Sequence, residues 1–215
     1  MEKWKIGAII ALMVGFGAFQ WFATSSENSE NVVAAVDGES SADGQSPARP
    51  VETPLPALLA LKGKMPHAWS VPANLWLNTP KPITLADLKG SVAVIEFWRL
   101  QCSHCQEAVP FMNGLHQRYK SRGLKVVTFQ SPGELTKENM ENNWGKVQEF
   151  AQRTSISYPV AFDTERKLKD KYKIELYPMI LVLDRAGRIQ LAETGHTPEK
   201  EREIVATIER LLKQK

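Results

Sequence analysis

Two cysteines, Cys102 and Cys105, are the only ones in the 215-residue chain, and Ser103 and His104 separate them. They follow the apolar, β-branched run Val92-Ala-Val-Ile-Glu-Phe-Trp98 after three intervening residues. A buried strand that leads into Cys-x-x-Cys at the start of a helix points to thiol–disulfide chemistry. A structural disulfide competes with that reading, but so short a loop would constrain the unfolded chain little. Half of a zinc site competes as well, and the chain has no second cysteine pair to complete it.

Two neighbours could tune such a pair. Glu96 is the one carboxylate in a strand otherwise fit for burial. A buried charge without a partner is costly, so its pKa should rise and it should hold a proton near neutral pH. The alternative is a side chain that reaches solvent at a sheet edge. Ser103 and His104 lie between the thiols. A protonated imidazole at position 104 would stabilise a thiolate and make the disulfide more oxidising, unless it merely occupies the exposed first turn.

The elements that must position these residues follow from periodicity and punctuation. Asn74 to Ile83 alternates apolar and polar around Asn78-Thr-Pro-Lys-Pro82, which predicts a hairpin with proline-limited pairing. Thr84-Leu-Ala-Asp87 has the form of a capping box, with Gly90 ending a brief helix. After the strand Val92–Phe97, a helix is expected from about Cys102 to Arg122 with Pro110 inside it, broken at Gly123. Leu124–Gln130 reads as a second strand, and about Lys137–Thr154 as a helix with Met140, Trp144, Val147 and Phe150 on one face. A short strand Tyr158–Phe162 precedes a charged helix capped by Asp163 or Thr164. Met179–Leu183 and Arg188–Ala192 form a hairpin through Asp184-Arg-Ala-Gly187, and Thr197-Pro198-Glu199 opens a last helix. Alternating strands and helices of this kind make an α/β domain with a mixed sheet.

The order of elements, Glu-Phe-Trp before Cys102-Ser-His-Cys105, Pro110 in the next helix, and Tyr177-Pro178 before the hairpin resemble the thioredoxin superfamily. The helix and strand between Gln130 and Asp163, with the N-terminal segment described below, resemble its membrane-tethered TlpA/ResA-type thiol–disulfide proteins. The likeness covers about residues 65–215 and implies a thioredoxin-like fold with a central helix–strand insert. It implies that Cys102, at a helix N-terminus, attacks, and that Cys105 resolves the mixed disulfide. It implies that Glu96 accepts a proton from Cys105, and that Pro178 is a cis-proline facing the pair. Tyr177, Pro178 and Trp98 become candidate substrate contacts, with a plain core aromatic as the equal alternative for Trp98. The redox group would be the Cys102–Cys105 disulfide itself, with no organic cofactor and no metal. Gln101 departs from the superfamily's usual tryptophan at that place. The Cys-x-His-Cys pattern also occurs in thiol oxidants of the DsbA type, so an oxidant or isomerase stays open beside a reductant. A copper-binding metallochaperone of similar fold is a third alternative, with His196 as the distal ligand.

The totals fit that picture. The net charge is +3 with basic residues scattered among acidic ones, and 43% of residues are hydrophobic. A nucleic-acid-binding face is therefore not expected. Lys3 and Lys5 precede a nearly unbroken apolar run, Ile6 to Ala23, long enough as a helix to cross about 30 Å of hydrocarbon. Acidic residues follow it with no basic residue until Arg49. This pattern predicts residues 1–5 in the cytoplasm, a transmembrane signal-anchor at 6–23 and the rest in the periplasm or extracytoplasmic space. A cleaved signal peptide is disfavoured because Trp21-Phe22-Ala23 puts a tryptophan where cleavage wants a small residue. Residues 24–64, rich in Ser, Ala, Glu, Asp and Pro, read as a flexible linker, although Leu55–Leu61 is apolar enough for a short helix that docks on the domain. The expected partners are the bilayer, a membrane thiol donor and proteins carrying cysteines or disulfides, with cytochrome c maturation implied as a setting by the resemblance.

Overall fold

A computed structural model describes residues 55–133 and 136–214. The expected cytoplasmic start, the membrane span at 6–23 and residues 24–54 of the linker lie outside the described residues. Among the described residues no helix is long and apolar enough to cross a membrane.

The strand β2 (Val92–Trp98) is buried at all seven positions. A strand buried on both faces reads as a continuous apolar run rather than an alternating one, and the sequence here is such a run. It pairs in parallel with β3 (Leu124–Gln130) and antiparallel with β5 (Met179–Leu183). Further out, β4 (Val160–Phe162) adds in parallel to β3, and β6 (Ile189–Thr194) adds antiparallel to β5. With β1 (Trp76–Leu77) antiparallel to β4, the sheet has the order β1-β4-β3-β2-β5-β6. The expected mixed α/β sheet is thus present.

Alternation along β2 sends Val92, Val94 and Trp98 to one face and Ala93, Ile95 and Phe97 to the other. On the first face the sheet packs against α3 (Ser103–Tyr119), α4 (Lys137–Arg153) and α6 (Pro198–Lys213), through Met112, Leu115, Phe150, Ile204 and Ile208 among others. The second face is covered by α1 (Leu55–Leu59), α2 (Leu85–Leu88) and α5 (Lys167–Tyr172), through Leu58, Leu88 and Leu168. The capping box at Thr84 and Asp87 forms in full, and Thr197 caps α6 with Pro198 at its first position. Gly123 ends the cysteine-bearing helix in the left-handed region at φ 92°.

Two expectations are corrected. The segment 74–83 does not fold on itself. Its two strand residues, Trp76 and Leu77, pair with Ala161 and Val160 instead. Pro80 and Pro82 cannot donate to a ladder, and Asn78 turns the chain away at φ 58°. The Asn78 side-chain amide donates to the carbonyls of Ile156 (2.8 Å) and Tyr158 (3.1 Å), so it belongs to the edge of β4. The linker ends before position 64, because the short apolar helix expected within Leu55–Leu61 forms as α1 and docks on the domain. Leu58 is buried in the core, Gly63 N donates to Ile189 O (2.7 Å), and Ile189 N donates to Lys64 O (2.9 Å). The charged helix α5 takes its expected cap from Asp163, which accepts from Leu168 N in its first turn (3.2 Å), while Arg166 just before it sits in the left-handed region.

Replacing Asn78 by alanine removes both amide bonds and leaves a β-carbon residue at positive φ. The expected loss is about 2 kcal/mol of stability, read as a lower urea midpoint at unchanged slope.

Candidate functional site

Where β2 ends, Arg99-Leu-Gln101 crosses the sheet edge and Cys102 becomes the N-cap of α3. Its backbone is extended (φ −103°, ψ 113°), and its Sγ accepts from Cys105 N at 3.2 Å. The sulfur thus takes the place that a serine or aspartate oxygen usually holds at a helix start. Cys102 O accepts from both Cys105 N and Gln106 N at 3.1 Å, and Gln106 Nε2 donates to Leu100 O at 2.7 Å. The two cysteines are joined in a disulfide with their Cα atoms 5.2 Å apart. Cys105 is 2% exposed, whereas Cys102 is only half-buried. One sulfur faces outward and the other faces the core.

The peptide bond Tyr177–Pro178 is cis. It lies directly before β5, the strand paired with β2, so the register of the sheet carries it to the cysteine pair. Tyr177 O stands 3.7 Å from Cys102 Sγ, and Pro178 O accepts from Gly195 N at 2.8 Å. Pro178 is buried and Tyr177 is half-buried.

Glu96 is 2% exposed in an interior strand, so it does not reach solvent at an edge. Strand alternation puts it on the face of Val94 and Trp98, where Cys105 also packs. Its neighbours across the ladder are Thr128 and Ile180. Removal from water disfavours the carboxylate, and this burial pushes the Glu96 pKa up to about 8. Tyr158, on the same face, is pushed well above the usual tyrosine range by its own burial first and by Glu96 second.

The other expected residues divide. Ser103 and His104 are exposed on the first turn, and His104 Nδ1 lies 3.1 Å from Glu107 Oε2. The imidazole therefore has a carboxylate partner one turn on, a pairing at i and i+3 that the sequence analysis missed. Trp98 is corrected. It is 2% exposed, and its Nε1 donates to Thr128 Oγ1 at 3.3 Å, so it is a core residue and offers no surface to a substrate. Its ring packs on Phe150, because an interior strand position leaves it no way out. His196, the distal histidine of the copper alternative, is held by Glu201 Oε1 at 2.7 Å. The sequence also gave no signal for Arg99, whose guanidinium lies 5.6 Å over the Tyr177 ring.

The geometry matches a solved thioredoxin-like protein in the oxidised form, with a TM-score of 0.57 and 27% identity over 71% of this chain and 96% of that one. The fold is thioredoxin-like. The family model "AhpC/TSA family" matches residues 64–192, more than half of the chain, and the chain belongs to that family. Among individual relatives it is similar to Protein DipZ of Mycobacterium tuberculosis, with 36% identity over 122 residues. That match covers 56% of this chain and 17% of DipZ. It is similar also to the thiol-disulfide oxidoreductase ResA of Bacillus subtilis, with 27% identity over 119 residues, 55% of this chain and 62% of ResA. The chain thus spans less than two thirds of either relative's length.

The raised pKa of Glu96 has a sign that stability measurements can read. Between its ordinary value of 4.5 and about 8 the folded state holds a proton that the unfolded state has lost. The stabilisation is complete below that interval and is lost as pH rises through it. The loss is on the order of 5 kcal/mol across the interval. Glu96→Gln should flatten this fall in a series of urea titrations; an unchanged slope would mean that Glu96 is not the group responsible.

Proposed function

We propose that the protein is a membrane-tethered, extracytoplasmic thiol–disulfide oxidoreductase that reduces disulfides of protein substrates. The observation that carries this is the half-buried Cys102 sulfur at the N-terminus of α3, disulfide-linked to a buried Cys105 and set against the cis Tyr177–Pro178 bond. The likeness to ResA supports the reaction class. The apolar run at 6–23 after two lysines supports the tether and the compartment.

In the reduced protein, the unpaired N–H groups and macrodipole of α3 stabilise a Cys102 thiolate. That thiolate attacks one sulfur of the client disulfide. A Cys102–client bond forms, the client S–S bond breaks, and the other client sulfur leaves as a thiolate. Cys105 then gives its proton to the ionised fraction of Glu96 and attacks Cys102 Sγ. The mixed disulfide breaks, the second client thiolate leaves, and the Cys102–Cys105 bond re-forms. Two electrons have passed from the protein to the client. Tyr177 and Pro178 hold the client backbone beside the sulfur, since a proline in this place offers no N–H of its own. Restoring the dithiol in an oxidising compartment requires a membrane thiol donor, and cytochrome c maturation is the setting that the resemblance implies.

Three variants test this. Cys105→Ser should accumulate a stable mixed disulfide with a client, seen as a reducible band shift on a denaturing gel. Cys102→Ser should form none, and trapping through Cys105 instead would reverse the roles of the two sulfurs. Glu96→Gln should slow the resolving step about a hundredfold and remove its rise with pH towards 8.

A further inference from the structure

The turn between β6 and α6 adjoins the chain that enters β5. Thr194, the last residue of β6, pairs with Met179, and one residue further on Gly195 N donates to Pro178 O at 2.8 Å. Pro178 follows Tyr177, whose carbonyl oxygen stands 3.7 Å from Cys102 Sγ. Whatever fixes residues 194–196 therefore helps to fix the backbone beside the attacking sulfur. Gly195 makes the turn at φ 73°, a conformation that favours glycine. A glycine permits the turn but does not hold it, since its backbone is the least restricted of any residue.

The side chains that hold it come from the start of α6. Thr197 Oγ1 accepts from Lys200 N at 3.4 Å, so the helix begins directly after the turn. Lys200 Nζ donates to Thr194 O. His196 Nε2 and Glu201 Oε1 lie 2.7 Å apart, and with side chains 15% and 34% exposed the pair is largely withdrawn from water. A hydrogen bond to a carboxylate in such a place is worth more than one between freely exposed groups. The imidazole also faces α3, with its ring centre 6.2 Å from that of Phe111 on the helix that carries both cysteines. One ring thus meets the cysteine helix and α6, while its own main chain adjoins the residue bonded to Pro178. An alkyl side chain could pack on Phe111 equally well but would offer nothing to Glu201.

We propose that His196 and Glu201 are positioning residues for the exchange reaction: their hydrogen bond holds the turn after β6, and so keeps Tyr177 and Pro178 placed against Cys102 Sγ for an extended client backbone. They act through Gly195 N and the Pro178 carbonyl. This role rests on the oxidoreductase reading above, and it separates two kinds of substrate. A polypeptide disulfide that lies along Tyr177 and Pro178 depends on their placement, and small displacements of a positioning group are costly in rate. A small disulfide with no peptide backbone needs only the sulfur.

The test is the second-order rate at which the reduced full-length protein attacks two probes, with the urea midpoint of each variant as control. One probe is a peptide disulfide with several residues on each side of the cysteine, and the other is hydroxyethyl disulfide. Against the peptide, His196→Ala and Glu201→Leu are expected to lose about tenfold, whereas against hydroxyethyl disulfide both keep the wild-type rate. Glu201→Gln, which retains an oxygen that accepts from the imidazole, keeps most of the peptide rate. Glu201 lies off the buried face of α6 formed by Ile204, Ile208 and Leu211, so Glu201→Leu reads the bond even if His196→Ala fails to fold. A loss shared equally by both probes, no loss with either, or a Glu201→Gln variant as slow as Glu201→Leu overturns the positioning role and leaves the exchange reaction intact. Wild-type protein that exchanges with neither probe overturns the oxidoreductase reading and the positioning role with it.

Discussion

The site depends on the double pairing of β2, a strand with no free edge and no exposed residue. Because β3 and β5 fix it on both sides, its register sets what meets at its C-terminal end. There α3 must start, the loop after β3 must turn, and the chain entering β5 must pass. A one-residue slip would exchange the faces of the strand, sending Glu96 and Trp98 to the opposite layer. The placement of the disulfide, the cis-proline and the buried acid is therefore one constraint rather than three.

Two opposite electrostatic effects then act within one turn of helix. At Cys102 the free amides of α3 favour a negative charge, and the amide of Cys105 points at the sulfur. At Glu96, on the buried face below, the absence of water disfavours one and raises the pKa to about 8. The Cys102 sulfur is favoured as an anion while the buried acid is kept able to exchange a proton near neutral pH. Separating two titratable groups in this way is how a fold assigns nucleophile and base.

Much of this was legible in the sequence because the signals are local. The run Val92–Trp98, the Cys-x-x-Cys spacing, the Thr84 and Thr197 caps and the Asp184–Gly187 turn each carry their own physical cause, and each forms. What was not legible is non-local. Trp76 and Leu77 have too short a run to announce a partner, and the one they take, β4, lies more than eighty residues on. Trp98 could be a site residue or a core aromatic by its position before the cysteines, and only the sheet on both sides shows that it is enclosed. Arg99 is unremarkable in sequence, and only the fold brings its guanidinium over the ring of Tyr177. The same holds for His104, whose partner Glu107 is visible only once the helix phase is fixed.

The central claim, that Cys102 and Cys105 work as a reversible two-electron couple poised to donate, is tested most directly by their reduction potential. The protein would be equilibrated in glutathione buffers of graded ratio, and the dithiol fraction read by thiol-specific alkylation, with Cys102→Ser as the control. The account predicts a single reversible transition, absent in the control, at a potential well below that of the glutathione pool. A strongly oxidising potential would contradict the reductant and make the protein an oxidant or isomerase. Failure to form any reversible disulfide would contradict the thiol–disulfide mechanism itself.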